Sequence, residues 1–505
     1  MNRLDSRVYF RFNLSLSETK YLSGEIMKLK KIAALVAIAA GSAPVFATNG
    51  MNMEGYGPVA TGMGGAAMAY DHGTAGMINN PATLGLIQSG TSRLDVAIGG
   101  LHPKVTTKMN GMPDADSGGK EYYMPAIGYV RKDGPLAWGV GMMAQGGMGT
   151  EYGSDSFMSG NPAIPSMMGA MHMTTAAERQ GNRSELGLGR VMFPVSYDVS
   201  NSFKLAGSID YLWGGLDLQM VMSGQEFGRF AGGTSPSGAV SPTSTILGAV
   251  GGFMQMPGFD LNWAQFDFSQ GTNKMKQALK TDGWAGNIGF QWQATPQLSV
   301  GGVYHAKTRL SDMEGGGSIK MGTPMGVIGV TGRLKIVDFQ WPETYGIGLA
   351  YRVNDQLMIA ADYKRIGWAK VMKNFNMSFV ADAVQANPMA GGMGGTTMDA
   401  TLYQNWKDQD VFMIGAAYKV SAPLTIRLGV NLANNPIPDN LMNPLFPATV
   451  KDHYTAGIGY ELSKASSMDF AYTYAPKVSV TNANMGITTT HAQTHNWQLM
   501  YSQRF

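Results

Sequence analysis

The chain of 505 residues has no cysteine, little charge and no long apolar run. The lack of cysteine excludes disulfide bonds, thiolate metal sites and cysteine nucleophiles. Charged residues make up 14% of the chain, against roughly 25% in soluble proteins. No stretch of about 18 apolar residues occurs, so a helical membrane protein is not expected. Low charge without such a stretch fits a transmembrane barrel, in which each strand exposes only every second residue to lipid.

Composition also bears on the partners of the protein. The net charge of +3 is too small to indicate a nucleic-acid partner. Methionine and glycine are abundant, with 38 and 67 residues. Because thioether side chains are flexible and polarizable, they suit a tolerant apolar lining. A lineage-wide bias in codon use accounts for the methionine count equally well, so both interpretations stay open.

The N-terminal region predicts secretion. Basic residues 27–31 precede apolar residues 32–40, and a small-residue cleavage signal ends at Ala47. This order is typical of a signal peptide, which we expect over residues 27–47, and the apolar part is too short to span a bilayer. Residues 1–26 carry charges and lack an apolar core. We interpret them as a non-native upstream extension.

The C-terminal residues alternate between apolar and polar side chains. Trp497, Leu499, Tyr501 and Phe505 share one face, as the strand period of two requires. An apolar face that ends in a terminal phenylalanine is typical of the closing strand of an outer-membrane barrel. We therefore expect Tyr501 and Phe505 to form the membrane-assembly signal, with Gln503 as an interruption of its apolar face.

The same alternation recurs along the chain and predicts an all-β fold. We expect a 14-stranded antiparallel transmembrane β-barrel, in which short turns alternate with longer loops. Closure removes sheet edges that lipid could not satisfy, and aromatic residues near strand ends fit interfacial girdles. A soluble barrel with aromatic-rich strands is the alternative. The expected strands are 93–103, 121–131, 136–146, 188–198, 203–222, 281–293, 297–320, 331–353, 356–374, 409–420, 423–432, 451–462, 467–481 and 489–505.

Residues 48–90 differ from the rest of the mature chain. They are rich in Gly, Ala, Met and Asn, and they show little alternation. The small-residue run 62–69 permits close backbone packing, which suits a segment folded inside a barrel lumen. A Gly-X-Gly within this run lacks the preceding strand and the acidic partner of a phosphate-binding loop, so that function is not expected.

Short stretches of the chain match a known family in order and spacing. They are Gly64–Ala67, Asn80–Ala82, Trp138–Gly141, Gly302–His305, Asp362–Lys364, Trp406–Asp408 and Arg427–Gly429. Together they resemble the long-chain fatty acid and aromatic hydrocarbon transporters of the outer membrane, the FadL/TodX (OMPP1) family. The resemblance implies an N-terminal hatch, or plug, over residues 48–90 inside a barrel formed by residues 91–505. It also implies that fatty acids or aromatic hydrocarbons enter from outside by passive, hatch-gated diffusion and leave sideways into the membrane.

Three groups of candidate functional residues follow. Hatch and gating candidates are Gly64, Gly65, Asn80, Pro81 and Ala82. By strand parity we expect the cationic candidates to project inward, where they could bind a substrate carboxylate; these are His305, Lys307, Arg309, Lys364 and Arg427. An internal charge network with Asp362, Glu54 or Asp71 is the alternative. Candidates for an external apolar groove, with loop packing as the alternative, are Met220, Met222, Phe227, Phe253 and Met254.

No catalytic arrangement is identified, and neither an enzyme activity nor a cofactor is expected. His491 and His495 share a parity but lack a neighbouring carboxylate for a metal site, and no nucleophile-elbow motif occurs. A general diffusion porin for small polar solutes is the alternative function, followed by a barrel enzyme or adhesin. The expected partners are hydrophobic small molecules, outer-membrane lipid and lipopolysaccharide, and the barrel-assembly machinery, with the protein a monomer.

Overall fold

The computed structural model describes residues 49–159, 180–254, 260–269 and 277–505. The expected signal peptide at 27–47, the residues before it and Thr48 lie outside this part of the chain. Within the described ranges, no helix is both long enough and apolar enough to cross a membrane.

Twenty-three strands in the described residues form one sheet, and every paired strand runs antiparallel to its neighbour. The strands are β1 (Ser92–Leu101), β2 (Pro103–Met109), β3 (Ala115–Asp116), β4 (Tyr122–Asp133), β5 (Leu136–Tyr152), β6 (Asn182–Asp198), β7 (Phe203–Ser223), β8 (Gly238–Val240), β9 (Trp263–Phe268), β10 (Leu279–Gln293), β11 (Leu298–His305), β12 (Arg309–Leu310), β13 (Met313–Thr323), β14 (Gly326–Val337), β15 (Thr344–Arg352), β16 (Leu357–Ile366), β17 (Asn374–Ala381), β18 (Thr397–Tyr403), β19 (Gln409–Lys419), β20 (Leu424–Ala433), β21 (His453–Glu461), β22 (Ser466–Asn482) and β23 (Ile487–Arg504).

The helices of the described part are short. The α-helices are α1 (Pro58–Thr61), α2 (Gly76–Asn79), α3 (Gly224–Ala231), α4 (Ile246–Met254) and α5 (Trp368–Val371). Turns of 3₁₀ helix cover Gly73–Ala75, Pro81–Leu86, Phe157–Ser159, Pro388–Met393 and Asp439–Leu441. None of the α-helices approaches the length of a strand such as β7, so strands build the scaffold.

The sheet closes on itself. Hydrogen-bonded neighbours follow one another in the order β1, β4, β5, β6, β7, β10, β11, β15, β16, β19, β20, β21, β22 and β23. β23 then pairs with β1, from Arg93 opposite Arg504 to Gly100 opposite Trp497. A closed ring satisfies its backbone groups internally, as lipid requires. The expected closed antiparallel all-β barrel is confirmed.

The strand count differs from the expectation. The expected stretch 297–320 holds β11, the two-residue β12 and most of β13, and the expected stretch 331–353 holds parts of β14 and β15. When β12 is counted together with β13, the fourteen expected stretches hold sixteen strands. β13 and β14 leave the ring and join β9 and β17 in an extension of the wall. The cause lies in the intervening coils, where the Gln340 amide takes up both backbone groups of Leu310 at 2.8 and 3.0 Å. Pro342, which has no N–H to donate to a ladder, follows in the second coil.

The outer face of the ring strands is an apolar belt. Ile209 and Ile288 are each 65% exposed, and Leu428 is 63% exposed. Such exposure over a contiguous surface indicates contact with lipid rather than with water. Tyr501 and Phe505 lie on this outer face, whereas Met500 on the opposite face is buried, which confirms the face assignment of the last strand.

Deletion of Phe505 should prevent assembly into the membrane. Its N–H donates to Ser92 O at 2.9 Å, and it accepts from Ser92 N at 3.0 Å, so it closes the seam beside β1. Each bond contributes only about 1 kcal/mol, and we expect the larger loss to come from the missing terminal aromatic. Heat-modifiable gel mobility of the membrane fraction measures folded barrel, and Phe505→Tyr is the matched control. A deletion variant that assembles at the normal level would show that the terminal residue is not the signal.

An N-terminal segment, residues 49–90, is hydrogen-bonded to several strands of the ring. Its backbone N–H groups donate to wall side chains at well-separated points: Thr74 to Asp95 on β1 at 2.7 Å and Gly64 to Thr455 on β21 at 3.0 Å. On other strands, Asn80 donates to Phe290 O on β10 at 2.9 Å. The segment thus bonds to strands at separate points of the ring, and most of its side chains are buried.

Candidate functional site

The N-terminal segment and the wall approach each other at backbone distance around Gly64. Gly64 has a φ of 71°, a left-handed conformation that glycine adopts without strain. A Cβ added to Gly64 would lie 2.5 Å from Val430 O, and one added to Gly429 would lie 2.0 Å from Gly64 N. Gly65 follows with a φ of 88°. The close backbone packing predicted from the small-residue run is therefore confirmed.

Asn80 joins the N-terminal segment to itself and to the wall. Its amide nitrogen donates to Met68 O at 2.7 Å and to Phe290 O at 2.9 Å. Its amide oxygen accepts from Ala82 N at 3.1 Å and so caps the turn that begins at Pro81. Since the Asn80 side chain is fully buried, every one of these bonds is shielded from water.

Asp362 on β16 is a second anchor; strand parity predicted that it projects inward, but as a partner for cations rather than for backbone N–H groups. Its Oδ2 accepts from Ala67 N at 2.6 Å and from Met68 N at 3.0 Å. The residue is 5% exposed, and its Oδ1 has no hydrogen-bond partner among the described residues. A buried carboxylate that binds two backbone N–H groups of the segment fixes the position of residues 67–68 against the wall.

Burial favours the neutral form of three ionisable side chains of the N-terminal segment. Desolvation lowers the pKa of His72, whose Nδ1 lies 2.9 Å from Tyr70 O. Desolvation also raises the pKa of Tyr56 and of Tyr70. The charged member Asp71 lies 3.8 Å from Arg93 on β1, and Arg93 itself pairs with Asp95 at 2.7 Å. The charge of Asp71 on the segment is thus close to a cation on the wall.

The cationic candidates separate into three groups. His305 and Lys364 line one polar cavity together with Arg190 and Asn79. Arg190, which sequence reasoning missed, pairs with Asp210 on β7 at 2.8 Å. This cavity, which we call the polar cavity, also contains Asn52, Tyr56, Gln145 and Trp341.

Lys307 and Arg309 do not project inward, so that prediction is wrong. The ring strand β11 ends at His305, and the coil that follows breaks the alternation on which the prediction depended. Both side chains are exposed, and Arg309 lies opposite the outward Trp284. Arg427 is placed differently again, since it pairs with Asp469 at 2.8 Å. The alternative of an internal charge network therefore describes Arg427 best, although its partner was not among those expected.

Met220 and Met222 line a cavity at the loop end of the ring, which we call the outer cavity. Further apolar walls come from Phe230 on α3, Leu402 on β18 and Leu445, and polar walls include Asn182, Glu226 and Gln404. α3 begins where Ser223 Oγ accepts from Glu226 N at 3.1 Å, directly after β7 ends. The two methionines are thus brought together as predicted.

The structure does not place the remaining candidates for the apolar groove in the outer cavity. Phe227 is buried in α3 and does not line the outer cavity. The side chains of Phe253 and Met254 lie outside the described residues.

The ladder between β4 and β5 is incomplete. It runs from Asp133 opposite Leu136 to Ile127 opposite Met142 and goes no further within these two fully described strands. Beyond it, residues 122–126 pair with β1 and residues 143–152 pair with β6. The second part of β5 contacts the N-terminal segment instead, where Gly147 N donates to Met51 O at 3.1 Å.

An apolar cavity lies where β4 and β5 separate, and we call it the wall cavity. Met124 and Ala126 of β4, Met143 and Ala144 of β5, and Met500 of β23 line it from the wall. Met53, Tyr56 and Ala75 of the N-terminal segment line its inner side. A cavity bounded by both the wall and the N-terminal segment offers an apolar solute contact with each.

A metal site is not found in the described ranges, where no group of three or more His, Asp or Glu could hold an ion. His491 is buried and its Nδ1 lies 2.7 Å from Pro447 O, whereas His495 is exposed beside Tyr472. β22 and β23 pair with register shifts in this region, so the shared parity of the two histidines does not bring them together.

Comparison with known proteins identifies similar transport proteins. The family model described as outer membrane protein transport protein (OMPP1/FadL/TodX) matches residues 32–502. The crystal structure of the Pseudomonas putida toluene transporter TodX has a TM-score of 0.75 and 26% identity, covering 90% of this chain and 99% of that one. The Ralstonia pickettii toluene transporter TbuX has a TM-score of 0.67 and 28% identity, with the same coverage.

Two curated sequences also match parts of the chain. A putative outer membrane protein of Neisseria meningitidis is 25% identical over 206 residues, which is 38% of this chain and 42% of that protein. An uncharacterized Chlorobium limicola protein is 43% identical over 115 residues, 23% of this chain and 55% of that protein. The chain spans about half the length of the curated relatives it matches.

Proposed function

The chain belongs to the outer membrane protein transport family OMPP1/FadL/TodX, and we propose that it carries small hydrophobic compounds through the wall of its barrel. It is an outer-membrane protein of a family of transport channels. The observation that carries the proposal is the incomplete β4–β5 ladder with its apolar wall cavity. The similar proteins TodX and TbuX are toluene transporters, which supports aromatic hydrocarbons as the substrates here, with long-chain fatty acids as the second class.

In the proposed route, substrate first occupies the outer cavity beside Met220 and Met222. The N-terminal segment acts as the hatch, because it is bound to separate strands of the ring. Substrate that binds the displaced form of the hatch better than the seated form shifts the population toward passage. The compound then leaves sideways by passive diffusion between β4 and β5 into the membrane, without crossing a water-filled pore.

The polar cavity offers a place for a substrate carboxylate. Lys364 and His305 line it, with Arg190 held near by its ion pair with Asp210. A fatty acid head group could pair with Lys364 there, whereas a hydrocarbon would leave this cavity to water. The cavity thus separates the two substrate classes in a binding experiment with palmitate and toluene.

The proposed partners beyond substrate follow from the surface. The apolar belt contacts outer-membrane lipid and lipopolysaccharide, and the strand that ends at Phe505 is recognised by the barrel-assembly machinery. The ring closes within one chain, which supports a monomer. We propose no catalytic step and no cofactor.

Replacing Met222 by aspartate should reduce uptake of labelled toluene into cells by about tenfold or more, because the change replaces an apolar wall of the outer cavity with a hydrated charge that a hydrocarbon cannot solvate. The control is Met325→Asp, since Met325 is 53% exposed and outside the outer cavity. Initial uptake rates at equal levels of folded protein provide the measurement. Unchanged uptake by the Met222 variant would contradict the proposed entry site.

The porin alternative makes a separate prediction for the unaltered protein. A general diffusion pore gives large, steady ion conductance in planar bilayers, whereas a barrel closed by a hatch gives little. Large conductance combined with uptake of polar solutes would replace the proposed function with that alternative.

A further inference from the structure

A groove is open on the outer face of the ring, where β15, β16 and β19 lie side by side, and we call it the outer-wall groove. It is a cavity of about 500 Å³, and apolar side chains of these three strands line most of it. Sites for small molecules typically have about 300–1,000 Å³. The groove is therefore large enough for part of a lipid molecule.

The outer-wall groove results from one small residue between larger neighbours. Ala361, on the outward face of β16, lies opposite Leu349 of β15 and Ile414 of β19. Leu349 and Ile414 are 41% and 54% exposed, whereas Ala361 is half-buried between them. Ile347 and Phe412 continue the two rims. A methyl group at the bottom and larger apolar side chains on both sides give an open channel of apolar surface.

The end of the outer-wall groove nearest the loops is polar. Tyr363, the next outward residue of β16, packs against Phe412 with ring centroids 5.1 Å apart, and its hydroxyl donates to Asp410 Oδ1 at 2.6 Å. Arg365 pairs with the same carboxylate at 2.9 Å. A tyrosine with its ring among apolar side chains and its hydroxyl in a polar cluster marks the boundary between membrane and water. The groove lies directly below that boundary.

This boundary is the outer one. The short turn 353–356 connects β15 to β16, whereas the long connection 367–408 follows the other end of β16. In outer-membrane barrels the short turns face the periplasm and the longer loops face outside. The outer-wall groove therefore lies in the outer half of the bilayer, where lipopolysaccharide supplies the acyl chains.

We propose that the outer-wall groove is a fixed lipid site that binds one acyl chain of lipopolysaccharide. The proposal rests on the contact between the apolar belt and lipid proposed above, and it does not depend on the transported compound. Because the surrounding chains are as apolar as the groove, binding depends on close van der Waals packing. Arg365 is already paired, so the head group adds no strong ion pair there and binding should not depend on salt.

Ala361→Phe tests the proposal, because the larger side chain fills the groove without adding a polar group. The barrel is extracted from outer membranes in a mild detergent, and native mass spectrometry measures the fraction that retains lipopolysaccharide. The unaltered barrel should retain one molecule with or without added salt. The fraction should be at least about fivefold lower for the variant, which corresponds to about 1 kcal/mol of lost packing contacts. Heat-modifiable gel mobility reports assembly.

Ala456→Phe is the matched control. Ala456 is exposed on the outward face of β21 and does not line the outer-wall groove, so this variant should retain lipopolysaccharide at the level of the unaltered barrel. Ile414→Ala is a second variant, which lowers one rim of the groove and should also reduce retention. Its control is Ile458→Ala, since Ile458 is 45% exposed on β21.

Equal retention by the unaltered barrel and by the Ala361 and Ile414 variants would overturn the site, as would an equal loss in the two controls. Retention of a phospholipid instead, or of no lipid by the unaltered barrel, would overturn the assignment to lipopolysaccharide. Toluene uptake by the same cells reports the proposed transport function separately, so failure of one proposal is distinguishable from failure of the other.

Discussion

Replacing Asp362 by alanine should turn the closed barrel into a leaking one. Asp362 is the acceptor for two buried backbone N–H groups of the N-terminal segment, at Ala67 and Met68. A hydrogen bond contributes roughly 1 kcal/mol, and each buried donor left without an acceptor carries a further penalty of about 1–3 kcal/mol. Loss of both bonds, about 3 kcal/mol or more, corresponds to a population of displaced segment at least about a hundredfold larger.

Single-channel recording in planar bilayers measures this effect directly. The unaltered protein should conduct rarely, and the Asp362→Ala protein should open at least about tenfold more often. This increase is smaller than the expected rise in the population of displaced segment, because not every displacement opens a path for ions. Asp362→Asn should lie between the two, because an amide oxygen still accepts but carries no charge.

The control for Asp362 is Asp410→Ala. The Asp410 carboxylate also has two hydrogen bonds, from Tyr363 at 2.6 Å and from Arg365 at 2.9 Å, but these partners belong to the wall. Its removal should leave the conductance at the level of the unaltered protein. If the two alanine variants conduct alike, Asp362 does not hold the segment.

Features set by local chemistry could be predicted from the sequence. The period of two placed Tyr501 and Phe505 on the outer face because β23 continues as far as Arg504, the residue before Phe505. Glycine at 64 indicated close packing since only a residue without a Cβ leaves room for the Val430 backbone. Met220 and Met222 lie near the end of the long strand β7, next to the loops, where both side chains can line a cavity.

Features set by pairing between distant strands could not be predicted in this way. Lys307 and Arg309 were misassigned because parity holds only while a strand continues, and the Gln340 side chain takes over the backbone groups at 310. The sequence does not predict the gap between β4 and β5 either. Side chains alternate along both strands whether or not the strands pair with each other, so the pattern is the same on both sides of the gap. Phe375 contacts Phe339 and Phe446, which come from separate parts of the chain, so spacing along the sequence does not predict these contacts.

Blocking the wall cavity should stop transport while leaving the closed state intact. Since the chain has no cysteine, a thiol reagent reacts only at the residue introduced by Ala144→Cys, which lines the wall cavity. A bulky methanethiosulfonate label there should lower the initial rate of toluene uptake at least about tenfold, a barrier of roughly 1.4 kcal/mol. Dithiothreitol removes the label and should restore the rate, so the loss cannot come from misfolding.

Val140→Cys is the control for the label. Val140 lies on the same strand, is 41% exposed on the outer face and is paired with Tyr129, where the β4–β5 ladder is complete. The Val140→Cys protein, labelled to the same extent, should take up toluene at the rate of the unlabelled protein. Normal uptake by the labelled Ala144 variant would exclude an exit at this gap. Reversible loss of uptake at Ala144 with unchanged ion conductance would separate a lateral exit from an axial pore, because an axial route does not pass between β4 and β5.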